Sequence, residues 1–95
     1  MPGWDLRLRY VNVTLSPASV AANTSAEQLF AVPGARLDDV VVAVSKPTAQ
    51  AGLGIVGWRV SSEGNIGITF GNFTGDAIPP PTSQSYTVVL MVKQP

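Results

Sequence analysis

The chain predicts an all-β fold: a small antiparallel β-sandwich or barrel, jelly-roll-like, with an extended N-terminal arm. Three observations point there. Gly and Pro, 9 and 8 residues of 95, are spread along the whole length and cut it into strand-sized pieces. Inside those pieces apolar residues recur mostly every second position, not every 3.6. Valine is the commonest residue, and its branched side chain suits a pleated surface. The length fits one domain, read as an arm and first strand over 1–15 and a β-body over 16–95.

In the first piece, Trp4, Leu6, Leu8 and Tyr10 alternate with Asp5, Arg7 and Arg9. The phase then changes and Val11, Val13 and Leu15 become the apolar set. Such a switch predicts a bulge, or a passage from one sheet or partner to another. On this reading Met1 to Tyr10 is an arm leaving the body. Ser16-Pro17 breaks the chain. Capping-box spacings occur at Thr24 to Glu27 and Ser25 to Gln28, but Pro33-Gly34 follows too soon for a long helix. A strand over Gln28 to Val32 is the expectation.

Asp38 to Ser45 is the next strand, and its Val40 to Val44 run is apolar on both faces, the pattern of a doubly covered strand. Ala49 to Gly54 reads as a loop. Ile55 to Ser61 and Asn65 to Gly71 read as a hairpin turning at Ser62-Glu63-Gly64, with Val56, Trp58 and Val60 on one face. The Asn72 to Gln84 loop contains the stiff run Pro79-Pro80-Pro81. Ser85 to Lys93 closes the set, with Tyr86, Val88, Leu90 and Val92 on one face and Val89 and Met91 on the other.

Composition narrows the chemistry. Lys+Arg and Asp+Glu are 6 each, so the formal charge is zero, and no surplus of cations exists to neutralise nucleic-acid phosphates. Cysteine and histidine are absent, which removes disulfides, thiolate nucleophiles, the usual zinc sites and any Ser-His-Asp triad. The N-terminal residues lack the basic and apolar regions of a signal peptide, and the run Val40 to Val44 is far too short for a membrane span. The expectation is a non-enzymatic protein assembled in a cytoplasm, with no cofactor, metal, membrane or small-molecule substrate.

Gly52-Leu53-Gly54-Ile55-Val56-Gly57 matches the dinucleotide fingerprint, with Asp76 downstream. That chemistry needs a helix to open at the third glycine, and Trp58-Arg59-Val60-Ser61 continues a strand pattern instead. The sequons at Asn12, Asn23 and Asn72 read as chance matches in a Ser/Thr-rich chain, with Asn72 shaping a turn. Asp38 and Asp39, adjacent on a strand entrance, point apart and read as turn and solubility residues. Trp58 reads first as core or interface; with Tyr86 it gives an alternative sugar-binding reading. Trp4 reads as an anchor for a partner.

The functional signal is distributed. Charged residues make up 13% of the chain, against about 25% in ordinary domains, and two strands are apolar on both faces. A two-layer sandwich hides only its inner faces. Apolar outer faces predict packing against other subunits.

Residues 16 to 92 resemble small structural proteins of tailed bacteriophages. The resemblance lies in Ser19-Val20-Ala21-Ala22-Asn23-Thr24, Phe30-Ala31-Val32-Pro33-Gly34, Asp39-Val40-Val41, Lys46-Pro47-Thr48, Gly52-Leu53-Gly54-Ile55, Arg59-Val60-Ser61, Ile68-Thr69-Phe70-Gly71-Asn72, Thr74-Gly75 and Tyr86-Thr87-Val88-Val89. It implies a capsid decoration or cement protein: a virion-exterior module, trimeric by preference, seated on the major capsid protein. The alternative is a head-fibre, tail or receptor-binding fibre module. On this expectation Trp4, Leu6, Leu8 and Tyr10 contact the shell, and Val41, Val89 and Met91 form the subunit interface.

Overall fold

The computed structural model describes residues 5–94, with side chains over 7–92. The described chain runs through β1 (Asp5–Leu15), β2 (Thr24–Ala31), β3 (Val40–Ser45), β4 (Leu53–Ser62), β5 (Asn65–Asn72) and β6 (Gln84–Gln94). They pair antiparallel into two three-stranded sheets, ordered β1-β6-β3 and β2-β5-β4. The fold is the small β-sandwich that the alternation predicts. The two sheets keep separate ladders, so the described residues form no closed barrel.

Alternation decides the layers. On β6, Tyr86, Val88 and Leu90 have no exposed surface, and on β5 the same holds for Ile66, Ile68 and Phe70. These are the central strands of the two sheets. Their inward rows join Leu15, Val41, Val44 and Leu53 in one core. The connection from Val32 to Asp39 closes one end, with Val32 and Ala35 buried and Arg9 Nη1 donating to Gly34 O at 3.1 Å.

Thr24 to Ala31 is a strand, not a helix start. Its residues gain a full ladder against β5, whereas Pro33-Gly34 would stop a helix near the length at which nucleation is still unfavourable. The open edge of β2 is covered by a side chain acting as a strand. Gln28 Oε1 accepts the Ala18 N–H at 2.8 Å, and Gln28 Nε2 donates to Ala18 O at 3.0 Å. Gly52 turns with φ +78 into β4, so the glycine fingerprint leads into a strand and offers no helix terminus to a phosphate.

The phase change in β1 is not a bulge. The β1–β6 register runs unbroken from Asp5↔Gln94 to Leu15↔Gln84. The expected arm is therefore, from Asp5 onward, the first strand of the body. Bulges occur instead in β3 between Val41 and Ala43, and in β4 between Ile55 and Gly57 and between Val60 and Ser62. The first β4 bulge breaks the predicted Val56-Trp58-Val60 face. Trp58 and Val60 lie opposite the inward Ile68 and Ile66, while Val56 is the extra residue and is exposed.

Two polar groups within the core have opposite fortunes. Asp39 is buried, and its Oδ2 accepts the Arg36 N–H at 3.0 Å, so it shapes the turn expected at this strand entrance. The Tyr86 hydroxyl is buried with no hydrogen-bond partner among the described residues, and burial pushes its ionisation above the ordinary phenol range. Tyr86→Phe removes a desolvated donor and is expected to raise stability by about 1 kcal/mol at neutral pH. In the wild type the unfolded phenol ionises near pH 10 and the folded one higher, so stability falls as pH rises past about 10. Urea melts of both proteins at pH 7 and at about pH 10.5 check this: Tyr86→Phe should lack that alkaline loss.

Candidate functional site

The outward face of the β1-β6-β3 sheet divides into two halves. Register places Leu8, Met91 and Val40 in one row and Tyr10, Val89 and Ala43 in the next, with the bulged Val42 beside them. The row after that is Asn12, Thr87 and Ser45, where Thr87 Oγ1 donates to Asn12 Oδ1 at 2.8 Å. Thr14 and Ser85 follow. The same three strands are thus polar over one half of their outer surface and apolar over the other.

Exposure confirms the apolar half as surface. Leu8 is 54% exposed, Tyr10 71%, Val40 52% and Val42 41%, while Val89 and Met91 are half-buried between them on the central strand. Together they make a patch on the order of 400 Å², in the range of the largest patches that monomers show. Covering it is worth about 10 kcal/mol gross, before the cost of association. A standard interface takes roughly 800 Å² per partner, so the patch is the size of an apolar centre that still needs a polar rim.

On its inward side the same end of β1 carries Arg7 and Arg9, where a core strand would carry valines. Here β6 residues 92–94 pair with β1 alone, and Val92 is the last β6 residue of the buried core. Charge on the inward face and grease on the outward one is the reverse of the arrangement at Val11, Val13 and Leu15. The apparent phase change in the sequence is this inversion of polarity along a straight strand.

The outer face of the other sheet differs. Its central strand presents Gly67, Thr69 and Gly71, and a two-bond ion pair crosses above Gly67: Arg59 Nε to Glu27 Oε2 at 2.7 Å and Arg59 Nη2 to Glu27 Oε1 at 2.8 Å. The guanidinium holds the Glu27 carboxyl below the usual carboxylate range. This face combines the ion pair with separate exposed apolar side chains, Leu29 opposite Gly67 and Val56 and Phe73 beside Gly71, whereas the first sheet gathers its apolar residues in adjoining rows.

The predicted contact residues fall as follows. Leu8, Tyr10, Val89 and Met91 come together in the one patch, which merges the shell-contact and subunit-interface groups into a single surface. Val41 does not belong to it. It lies opposite Leu90, faces the core and is 7% exposed, while strand alternation turns its neighbours Val40 and Val42 outward. Trp4 lies outside the described residues. Leu6 stands opposite Lys93 in the register, and its side chain is likewise outside what is described. The Val40 to Val44 strand is an edge strand covered on one face only. Tyr86 is fully buried, so a sugar platform of Trp58 and Tyr86 does not exist.

Val40 and Val42 were legible only once β3 was known to pair with β6. No spacing within Val40 to Val44 tells which valine faces out. The assignment has a direct check. Val41→Ser places an unpartnered hydroxyl in the core and is expected to cost about 2–3 kcal/mol, whereas Val40→Ser should stay within about 0.5 kcal/mol of wild type in a urea melt.

In comparisons with protein-family models, curated proteins and solved structures, nothing matches this chain.

Proposed function

We propose that this protein is a non-enzymatic virion structural protein of the decoration or cement type, docking through the outward face of β1-β6-β3. The observation that carries the reading is the apolar patch of Leu8, Tyr10, Val40, Val42, Val89 and Met91, bounded by the hydrogen-bonded polar row of Asn12 and Thr87. The resemblance of residues 16 to 92 to small structural proteins of tailed phages supplies the setting: the exterior of a capsid, with the major capsid protein as partner and a homotrimer as the favoured state. Mechanically, a cement protein binds the assembled shell and not its separated subunits. Each bound copy then stabilises the assembly by mass action, as any state-specific ligand does. Tyr10, the most exposed member of the patch, is the natural anchor, since buried aromatics dominate interface energetics.

Deleting residues 1–10 is a poor test, because it removes half of β1 and uncovers Leu90 and Val92. Point substitutions leave the fold in place. With phage heads stripped of this protein, wild type is expected to co-sediment and to raise the temperature at which the shell opens. Tyr10→Ser and Met91→Ser should each weaken binding about tenfold or more, with the melting of the free protein unchanged. Full binding by the double variant would overturn this docking face. Failure of wild type to bind heads, with capture by tails or fibres instead, would overturn the capsid assignment.

A further inference from the structure

We propose that the cleft lined by Asn23, Thr24, Ser25, Asn72 and Phe73 is a binding site for a neutral pyranose sugar. It belongs to the β2-β5-β4 sheet, not the apolar face described above, and it stands independently of the docking reading.

Phe73 is the most exposed large apolar residue among the described residues, at 73%. It is not a loose side chain. A Cβ built on Gly71 would lie 3.2 Å from the ring's Cζ and 3.4 Å from its Cε2, and 3.0 Å from Val56 Cγ1. The far edge of the ring therefore rests over the backbone of β5 at Gly71, where a side chain would crowd it, with Ser25 opposite in the register. One edge of the ring is supported and the rest is open to water.

The loop that presents the ring is tied from several sides. The Phe73 N–H donates to Gly52 O at 2.8 Å, and the Asn23 N–H donates to Thr74 O at 3.0 Å. Asn72, almost wholly buried, donates from Nδ2 to Val20 O at 3.0 Å and to Asp76 O at 2.8 Å, and its Oδ1 accepts the Thr74 N–H at 2.9 Å. Asn72 thus shapes the turn and pins it to the body. Asn23 sits in the left-handed region at φ +53, and its side chain is exposed beside the ring. The Thr24 hydroxyl donates to Ala21 O at 2.8 Å, which leaves its lone pairs to accept.

This set matches one ligand chemistry. An aromatic face attracts the C–H groups of a pyranose, and the neighbouring amide and hydroxyls can exchange hydrogen bonds with vicinal sugar hydroxyls. The cleft has a volume of about 350 Å³, at the small end of the ~300–1,000 Å³ of ligand sites and enough for one or two rings. No charged side chain lines it, which disfavours phosphorylated or acidic ligands. Nucleic acid is disfavoured further by the zero net charge. Because the site is held in place before binding, little ordering cost falls on the ligand complex.

The test is a ¹⁵N NMR titration of the full chain with the methyl glycosides of glucose, mannose, galactose and N-acetylglucosamine, each to about 50 mM. A single aromatic platform gives an expected Kd on the order of 1 mM for at least one of them, with shifts confined to residues 23–25 and 72–74. Phe73→Ala should lose at least about tenfold in affinity with melting unchanged, and Phe73→Trp should retain it. No shifts with any glycoside would overturn the proposal, as would shifts that persist in Phe73→Ala. Shifts at these residues with a proline-rich peptide but with no sugar would overturn it too and reassign the cleft to protein contact.

Discussion

Everything in this molecule depends on two rows of side chains meeting across one gap. Ile66, Ile68 and Phe70 of β5 and Tyr86, Val88 and Leu90 of β6 are wholly excluded from water. Each row belongs to the central strand of its sheet, so fixing the two rows fixes the positions of both layers. A chain of 95 residues has material for those two layers and no third. The outer faces must then be settled by their own residues. The second sheet does this with glycines, threonine and the Glu27–Arg59 pair, beside the scattered apolar Leu29 and Val56. The first sheet does it over half its surface only.

The topology makes this core hard to reach locally. β4 and β5 form the one tight hairpin, joined at Glu63-Gly64, while β1 finds its partner in β6 at the other end of the sequence. The β1–β6 ladder closes a loop of nearly the whole chain, and such pairings are slow because their entropy cost precedes their reward. Until β6 arrives, β1 is an unpaired strand with alternating charges. Arg7 and Arg9 are well placed for that interval, since charges on a strand discourage pairing with foreign edges. The other edges are guarded differently: β2 by the Gln28 clamp on Ala18, β3 and β4 by bulges.

The strand number, the hairpin and the all-β class were legible because alternation and turn residues act locally. Tyr86, Val88, Leu90 and Val92 name their own face, and Asn65 to Gly71 names its strand. What was not legible needed a partner strand to decide it. The Val40 to Val44 run looks covered on both sides, and only the register against β6 separates core Val41 from surface Val40. The β1 phase change looks like a bulge, and only an unbroken ladder shows it to be an inversion of polarity. Trp58 joins the inward register of β4 only because Val56 bulges out. Phe73 carried no periodic signal at all, since it follows the last residue of β5. Its setting comes from the adjoining Gly71 and Asn72 and from Gly52, a residue that sequence spacing does not connect to it.

The inversion in β1 also bears on why the apolar patch is a feature and not a leftover. A sequence with merely too many valines would scatter them over both halves of the outer face. Here the boundary is sharp: Tyr10, Val89 and Ala43 stand in one row, and Asn12, Thr87 and Ser45 in the next, with Asn12 and Thr87 bonded to each other. Three strands distant in sequence change polarity at the same level. On the inward side, β1 changes in the opposite sense at nearly that level, from Val11 to Arg9. A strand that kept one polarity throughout would bury its whole length against the second sheet. This one buries half of itself within its own fold and turns the grease of the other half outward, where only another surface can cover it.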